Sequence, residues 1–546
     1  MSSFTISIDG HAVEASAGQT VLEAARKLGI EIPTLCYLEK CGPLNSCLVC
    51  LVKINGKLVP SCGLKVTPGM VVESETNEVH EARRTALELL FSDHVGDCLA
   101  PCNRLCPLGM AIPVMIRQIQ TGKLEDAIGT VREALPLPSV LGRLCHHPCE
   151  QGCRRGTWDD SAAIRDMERF VADWDLAPAL PEHVRARPPE PGRSSPSLPR
   201  CRAATGKSVV IVGAGPAGLA AAYYLLQWGH ACTIAHRGSK GGGSLRNEPS
   251  DHLPAVILDA EIQQIERLGA VFKPSAVLGQ DVTLDGLLRG FDAVLLATGE
   301  VSRETGQAWG LQMAPGGIKT NADTFQTSQL QVFAAGRAVR PMSHLVRAMA
   351  DGKAAAECIH RFLLGKKVAR ADKPFSSVMG RLDKAELGTF VAASHAVPSV
   401  SACDTCAGFT KQEAGVEASR CLHCDCRSSG DCALQTYAQN YGADASRFRQ
   451  QRRKFEQQHQ PCGIVFEPGK CILCGICVKL TELAAEPLGL AFIGRGFDVR
   501  VAAPFNRTIQ DGLQKVAAEC VEHCPTGALA FGEQKAALEE LTLASP

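Results

Sequence analysis

A surplus of one charge and a long apolar run are what this sequence lacks. Its 57 basic and 57 acidic residues cancel, so no net field draws the chain to nucleic acid or to an anionic membrane. No stretch approaches 18 uninterrupted apolar residues, so no membrane span is expected. Met1–Ile6 has neither the basic n-region nor the apolar h-region of a secretory leader. No nucleophile–base constellation stands out either. What is plentiful is cysteine, with 26 in 546 residues. Disulfide-rich chains are usually short and secreted. This one is long and 45% hydrophobic, so a soluble, reduced, cytoplasmic protein of about three to five domains is expected.

Most of the cysteines fall in tight groups. They are Cys36–x10–Cys47–x2–Cys50–x11–Cys62, Cys98–x3–Cys102–x3–Cys106, Cys145–x3–Cys149–x3–Cys153, Cys421–x2–Cys424–x–Cys426–x5–Cys432, and Cys471–x2–Cys474–x2–Cys477 with Cys524–Pro525 downstream. These are spacings of iron–sulfur ligands, and five groups in one polypeptide predict a path for electrons. The first group suits one 2Fe–2S cluster, since its long outer gaps fit a zinc knuckle poorly. Cys41 is expected to be a spare. In the last group the C-x2-C-x2-C run supplies three ligands to a 4Fe–4S cluster and Cys524 the fourth. Leu480 and Thr481 stand where a second cluster would need Cys-Pro, and Cys520 is not expected to ligate. Cys421, Cys424, Cys426 and Cys432 are expected to hold a further 4Fe–4S cluster. Zinc competes there, because Cys403–x2–Cys406–x14–Cys421–x2–Cys424 is close to a zinc-ribbon spacing.

The first group resembles the N-terminal ferredoxin domain of the NADH:quinone oxidoreductase G-type subunit and of related hydrogenases. "KCILCGICVKL" and "ECVEHCPTGALAF" resemble that subunit again. Between them, "CLAPCNRLCPLGMAIP", "LPLPSVLGRLCHHPCEQGCRRG" and "AAIRDMERFVAD" resemble the N-terminal domain of the glutamate synthase small subunit and of dihydropyrimidine dehydrogenase. "EASRCLHC" resembles the C-terminal region of the same relatives. The resemblance implies two 4Fe–4S clusters, which need eight ligands where six cysteines stand. It implies Glu168 as an oxygen ligand and His94 near the place of a missing cysteine. His94 also resembles the histidine that ligates a cubane in the G-type subunit. The implied sets are His94, Cys98, Cys102, Cys153 and Cys106, Cys145, Cys149, Glu168. The plainer alternatives are a surface histidine and a solvated helix glutamate.

Ser208–Val212 reads as a buried parallel strand. Gly213–Ala214–Gly215–Pro216–Ala217–Gly218 is the G-x-G-x-x-G turn after it, opening the helix Leu219–Gln227. The turn admits a pyrophosphate against the helix N-terminus. Phe291–Gly299 and Val332–Gly336 resemble the "ATG" and final flavin-contacting strands of two-dinucleotide flavoproteins, which implies FAD at Gly213, Gly215, Gly218, Gly243, Arg246, Gly299 and Gly336. Two positions depart from that family. His236 stands where a ribose-binding acid belongs, and Arg337 where "AAGD" has its acid. The pocket is then either a working flavin site or vestigial. Only 34 residues separate Gly299 from Ala334, too few for the family's inserted nicotinamide domain.

The expected fold class is multidomain α/β and α+β. A β-grasp 2Fe–2S ferredoxin spans 1–80 and a helical double-cubane domain 81–180. A Pro-, Arg- and Ser-rich linker spans 181–206, a Rossmann-like FAD domain 207–368, a cysteine-bearing connector 369–450 and a 4Fe–4S ferredoxin-like domain 451–546. The expected function is an electron-transfer subunit of a larger cytoplasmic oxidoreductase, without its own substrate-converting site. Its partners would be an NAD(H)- and FMN-binding subunit and a metal-containing catalytic subunit acting on formate, an aldehyde or hydrogen. One alternative is a self-contained NAD(P)H flavoenzyme passing electrons to ferredoxin. Another is an iron–sulfur scaffold with an empty flavin domain.

Overall fold

The computed structural model describes residues 3–183, 185, 188–190, 192–392, 394, 397–404, 406–428, 430–449 and 452–532. The chain forms two compact units. Met1–Ala100, Pro374–Ala393 and Cys424–Pro546 make the first, and Pro101–Lys373 with Ser394–His423 the second. Consecutive stretches read from sequence do not anticipate this interleaving.

In the first unit, Ser3–Ile8 buries Ile6 and Ile8 and pairs antiparallel with His11–Ser16, which buries Val13 and Ala15. Asp9 and Gly10 turn between them at φ 50 and 80, the left-handed pair that a two-residue hairpin needs. Val71–Glu73 adds in parallel on the other side, followed by Leu51–Ile54 and Lys57–Pro60. Helix Val21–Lys27 starts at Thr20, whose hydroxyl accepts from the Glu23 N–H while the Glu23 carboxylate accepts from the Thr20 N–H. Its Val21, Leu22, Ala24 and Ala25 complete the small core. The long loop after Pro33 carries the first cysteines. Near the C-terminus, Ile464–Phe466 pairs antiparallel with Gln458–His459 and Leu529–Phe531, and helix Ile476–Leu483 carries Cys477.

The second unit combines helices with a parallel sheet. Apolar periodicity over 112–134 reads as one helical run. The chain instead forms Ile112–Gln120 and Leu124–Ala134, because Gly122 takes φ 72 and breaks the run. Pro138–Leu144 and Ile164–Leu176 pack beside them. Arg132 is buried between Asp175 at 2.8 Å and Glu261 at 3.4 Å, so its charge is paired as burial requires. The sheet runs Val271–Lys273, Ala231–Ala235, Ser208–Val212, Ala293–Leu296, Val332–Ala334, all parallel. Val209–Val212 and Ala293–Leu296 are buried throughout, as strands covered on both faces are. Helix Leu345–Leu363 crosses helix Pro216–Gln227 at Gly352, where a Cβ would lie 2.2 Å from the Ala217 carbonyl oxygen. No helix among the described residues is long and apolar enough to cross a membrane.

Candidate functional site

Three groups of candidate ligands lie in the first unit. Cys36, Cys47, Cys50 and Cys62 are all buried, and their thiols contact one another. Hydrogen bonds from Cys47 and then Cys62 pull the Cys36 thiol far down. The same contacts, Cys36 foremost, push Cys47 and Cys62 up, and Cys62 brings Cys50 to about 7. Asn45 and Leu48, at φ 54 and 55, curl the loop that presents them.

The second group lines a small cavity. His94, Cys98, Cys426 and Cys432 face it, with Lys470 and Gly527. Burial raises Cys98, and raises Cys432 to about 12. Each of these two also feels the charge of Cys426. The Ser377 N–H donates to Cys98 Sγ at 3.4 Å, the kind of outer contact that orients and tunes a ligand. A Cβ on Gly527 would lie 2.5 Å from Cys426 Sγ, so only glycine leaves that thiol its place. His94 Nδ1 is buried with no hydrogen-bond partner. Burial, then Lys470, holds this imidazole near pKa 3, which keeps it in the neutral, ligating form. His94 and Cys98 are thus brought to Cys426 and Cys432, a grouping different from both sets in which the sequence reading puts them.

The third group lines a small cavity with Cys471, Cys474, Cys477 and Cys524. Burial raises Cys471 to about 11 and the next two further. Leu473 and Gly475, at φ 54 and 84, wrap the loop around it. Cys520 also faces this cavity, its thiol directed at the Cys477 carbonyl at 3.9 Å. The groups are joined by short polar links. The Ser46 hydroxyl donates to the Cys474 carbonyl at 3.2 Å. The Thr526 hydroxyl donates to the Lys470 carbonyl at 2.9 Å, just ahead of Cys471. Lys470, Ser377 and Ser46 escape a sequence reading, since a lone lysine or serine beside cysteines is ordinarily solvated.

In the second unit, Cys106, Cys145, Cys149 and Glu168 lie within electrostatic reach of one another. Burial and then Glu168 raise Cys145, to about 12, and Cys149. Cys106 is raised chiefly by burial, with Glu168 adding to it. Glu168 is 7% exposed and its Oε1 has no partner. Burial, then Glu150, lifts its pKa to about 8. Cys102 lies on helix Pro101–Leu105. Gly152, beside Cys153, comes so close to that helix that a Cβ would lie 2.3 Å from Leu105 Cδ1. Cys421 packs on the same core as Cys102 and Cys153, its Sγ accepting from the His423 N–H at 3.4 Å. Cys403 and Cys406 are exposed, and the Cys403 thiol hydrogen-bonds Glu413. Among the described residues no three His, Cys, Asp or Glu side chains form a group for a single metal ion.

The glycine turn follows its strand as expected. Gly213 takes φ 118, and a Cβ there would lie 2.2 Å from the Ala297 carbonyl oxygen. A Cβ on Gly218 would strike the Gly213 carbonyl at 2.0 Å, and one on Gly243 would reach Gly215 Cα at 2.7 Å. Beside Gly215 and Gly299 the space is open. Gly336 sits at φ 66. His236 is buried against Phe272. Arg337 pairs with Glu300, and Arg246 with Asp259 and the Gly241 carbonyl.

Two family comparisons match parts of the chain. Residues 2–77 match the 2Fe-2S iron-sulfur cluster binding domain, and residues 71–179 match dihydropyrimidine dehydrogenase domain II, 4Fe-4S cluster. The chain therefore carries ferredoxin-type 2Fe–2S and 4Fe–4S domains and resembles the fusion that its motifs suggest. Among individual proteins it is 40% identical, over 37% of its length, to the NADP(+)-dependent formate dehydrogenase subunit beta of Moorella thermoacetica. It is 37% identical, over 37% of its length, to the NADPH-Fe(3+) oxidoreductase subunit beta of Geobacter sulfurreducens. To the glutamate synthase NADPH small chain of Mycobacterium tuberculosis it is 36% identical over 37% of its length. It spans 29%, 28% and 39% of those relatives. An NAD+-reducing NiFe-hydrogenase structure matches 17% of this chain and 40% of its own at 40% identity, with a TM-score of 0.17.

Proposed function

We propose that this chain is an electron-relay subunit of a cytoplasmic, multi-subunit oxidoreductase. The observation that carries the reading is the gathering of three thiol and imidazole groups in one unit, linked through Ser46–Cys474 and Thr526–Lys470. Iron–sulfur clusters supply one-electron chemistry when bound, and the donor sets fit them. Cys36, Cys47, Cys50 and Cys62 would hold 2Fe–2S. Cys471, Cys474, Cys477 and Cys524 would hold one 4Fe–4S, and His94, Cys98, Cys426 and Cys432 another. The orphaned His94 Nδ1 and Glu168 Oε1 support the fit, because buried polar atoms otherwise find partners. Cys106, Cys145, Cys149 and Glu168 would hold a third cubane.

Assigning Cys426 and Cys432 to His94 leaves Cys421–x2–Cys424 beside Cys102 and Cys153 in the ligand inventory. Four cysteines thus remain unassigned, as many as one further cubane needs. Every assigned ligand is then used once, and the total stays at about 18 iron atoms. Along the chain three residues separate Cys98 from Cys102, Cys102 from Cys106 and Cys149 from Cys153, and one separates Cys424 from Cys426, so ligands of different sets alternate at short spacing.

FAD would lie against Gly213, Gly215 and Gly218, with Gly243, Gly299 and Gly336 keeping side chains out of its way. Glu300 offsets the Arg337 charge, so the cation need not close the pocket. His236 supplies no carboxylate for a ribose hydroxyl, which lowers the expected affinity. With only 34 residues between Gly299 and Ala334, reducing equivalents from NAD(P)H would enter through an NAD(H)- and FMN-binding partner. They would pass to or from a catalytic subunit of formate dehydrogenase type. A second reading, an NAD(P)H-oxidising flavoenzyme, is favoured by the names of the NADP-linked relatives. Stopped-flow mixing of the lone chain with NADH and NADPH separates the two. Slow or absent flavin bleaching supports the relay; bleaching at catalytic speed replaces it with the flavoenzyme.

A further inference from the structure

We propose that Lys470 sets the redox poise of the centre formed by His94, Cys98, Cys426 and Cys432, a role that rests on the ligand assignment above. Lys470 is 3% exposed, as is Glu467, with which it pairs. Glu467 also accepts from the Gln457 amide at 3.1 Å. A buried ion pair is expensive to desolvate, and an apolar replacement is often no less stable. Its presence on a cavity wall therefore calls for a purpose other than stability.

The surrounding backbone holds the ammonium in place. The Val95 N–H donates to the Gly469 carbonyl at 2.7 Å, which ties the His94 segment to the Lys470 segment. Gly96 lies between them: a Cβ there would sit 3.0 Å from Lys470 Cε and 3.1 Å from His94 Nε2. The missing side chain lets the lysine stem and the imidazole share one wall. The Lys470 carbonyl is fixed by Thr526. Asp97, also buried on this cavity, accepts from the Met379 N–H at 3.0 Å and is common to every variant below.

A cation held this way, where water does not screen it, stabilises the extra negative charge of the reduced centre. Removing it makes reduction harder. Glu467 opposes it, so removing the carboxylate makes reduction easier. Lys470 lines the cavity of His94 and not that of Cys471. Its influence on the two neighbouring centres is accordingly unequal, which favours electron flow from the Cys471 group toward the His94 group.

Anaerobic potentiometric titration of the full chain, followed by EPR, tests this. Lys470→Met should lower the reduction equilibrium constant of one 4Fe–4S signal by at least about tenfold, a shift of about 59 mV for one electron. The other signals should move less. Lys470→Arg should restore most of the loss, and Glu467→Gln should move the same signal the opposite way. Unmoved signals, or shifts of the same sign in Lys470→Met and Glu467→Gln, overturn the role. If Lys470→Met does not load the centre, Glu467→Gln decides: a rise supports the role, and no change or a fall overturns it. His94→Ala identifies the signal. If it alters a cubane signal that Lys470→Met leaves in place, the lysine role alone fails. If it alters none, the ligand assignment fails and the lysine role with it.

Discussion

Replacing Glu168 should weaken iron binding and strengthen the iron-free protein. Its carboxyl is buried, with Oε1 unpartnered, and burial followed by Glu150 lifts its pKa from 4.5 to about 8. At 1.36 kcal/mol per pH unit, ionising it in the cluster-free fold costs on the order of 5 kcal/mol. The folded pKa lies above the unfolded one. Its contribution is therefore fully present while the acid stays protonated below about pH 4.5, and is lost as pH rises toward 8. A bound iron reverses the preference by holding the anion. Glu168→Leu keeps the volume and removes both the charge and the donor. Iron per chain and the EPR of the intact protein should lose one cubane or convert it. The chelator-stripped variant should be more stable than stripped wild type at pH 8, with the gap closing toward pH 5. Glu168→Gln keeps an oxygen and should retain the cubane with altered EPR. Unchanged iron and spectra in Glu168→Leu would refute the ligand role and leave Glu168 a buried neutral acid.

His94→Ala and Cys426→Ala should perturb the same 4Fe–4S signal, and Cys102→Ala a different one; EPR of the three variants checks the regrouping, and a shared signal for His94 and Cys102 would restore the set read from sequence. Gly213→Ala places a methyl group against the Ala297 carbonyl at φ 118. It should cost about 3 kcal/mol locally and abolish flavin absorbance while the iron content stays. Ser377→Ala removes the hydroxyl 3.4 Å from Cys98 Sγ but leaves the backbone donor, so the midpoint of the His94 signal should move less than in Lys470→Met.

Local signals were legible in the sequence. The strand–glycine–helix passage at 208–227 acts over a few residues, and the structure forms it. The cysteine groups were legible because cluster ligands recur at short spacings. What spacing does not carry is which groups share a cavity. Cys426 and Cys432 follow Cys421 and Cys424 directly, so proximity in sequence suggests one set. Tertiary packing instead brings the later pair to His94 and Cys98, after an intervening stretch that forms most of a separate unit. Gly122 shows the same limit at smaller scale. Apolar periodicity runs through it, and only its positive φ ends the helix. The buried Lys470–Glu467 pair was equally hidden, since nothing local distinguishes it from a solvated i,i+3 pair.

Anaerobic iron quantitation combined with EPR-monitored reduction of the full chain tests the relay claim most directly. The account predicts about 18 iron atoms, distributed over one 2Fe–2S and four 4Fe–4S signals, one of the four lost or altered in His94→Ala. About 14 iron atoms with one tightly bound zinc, or a complete set of signals indifferent to His94, would contradict it.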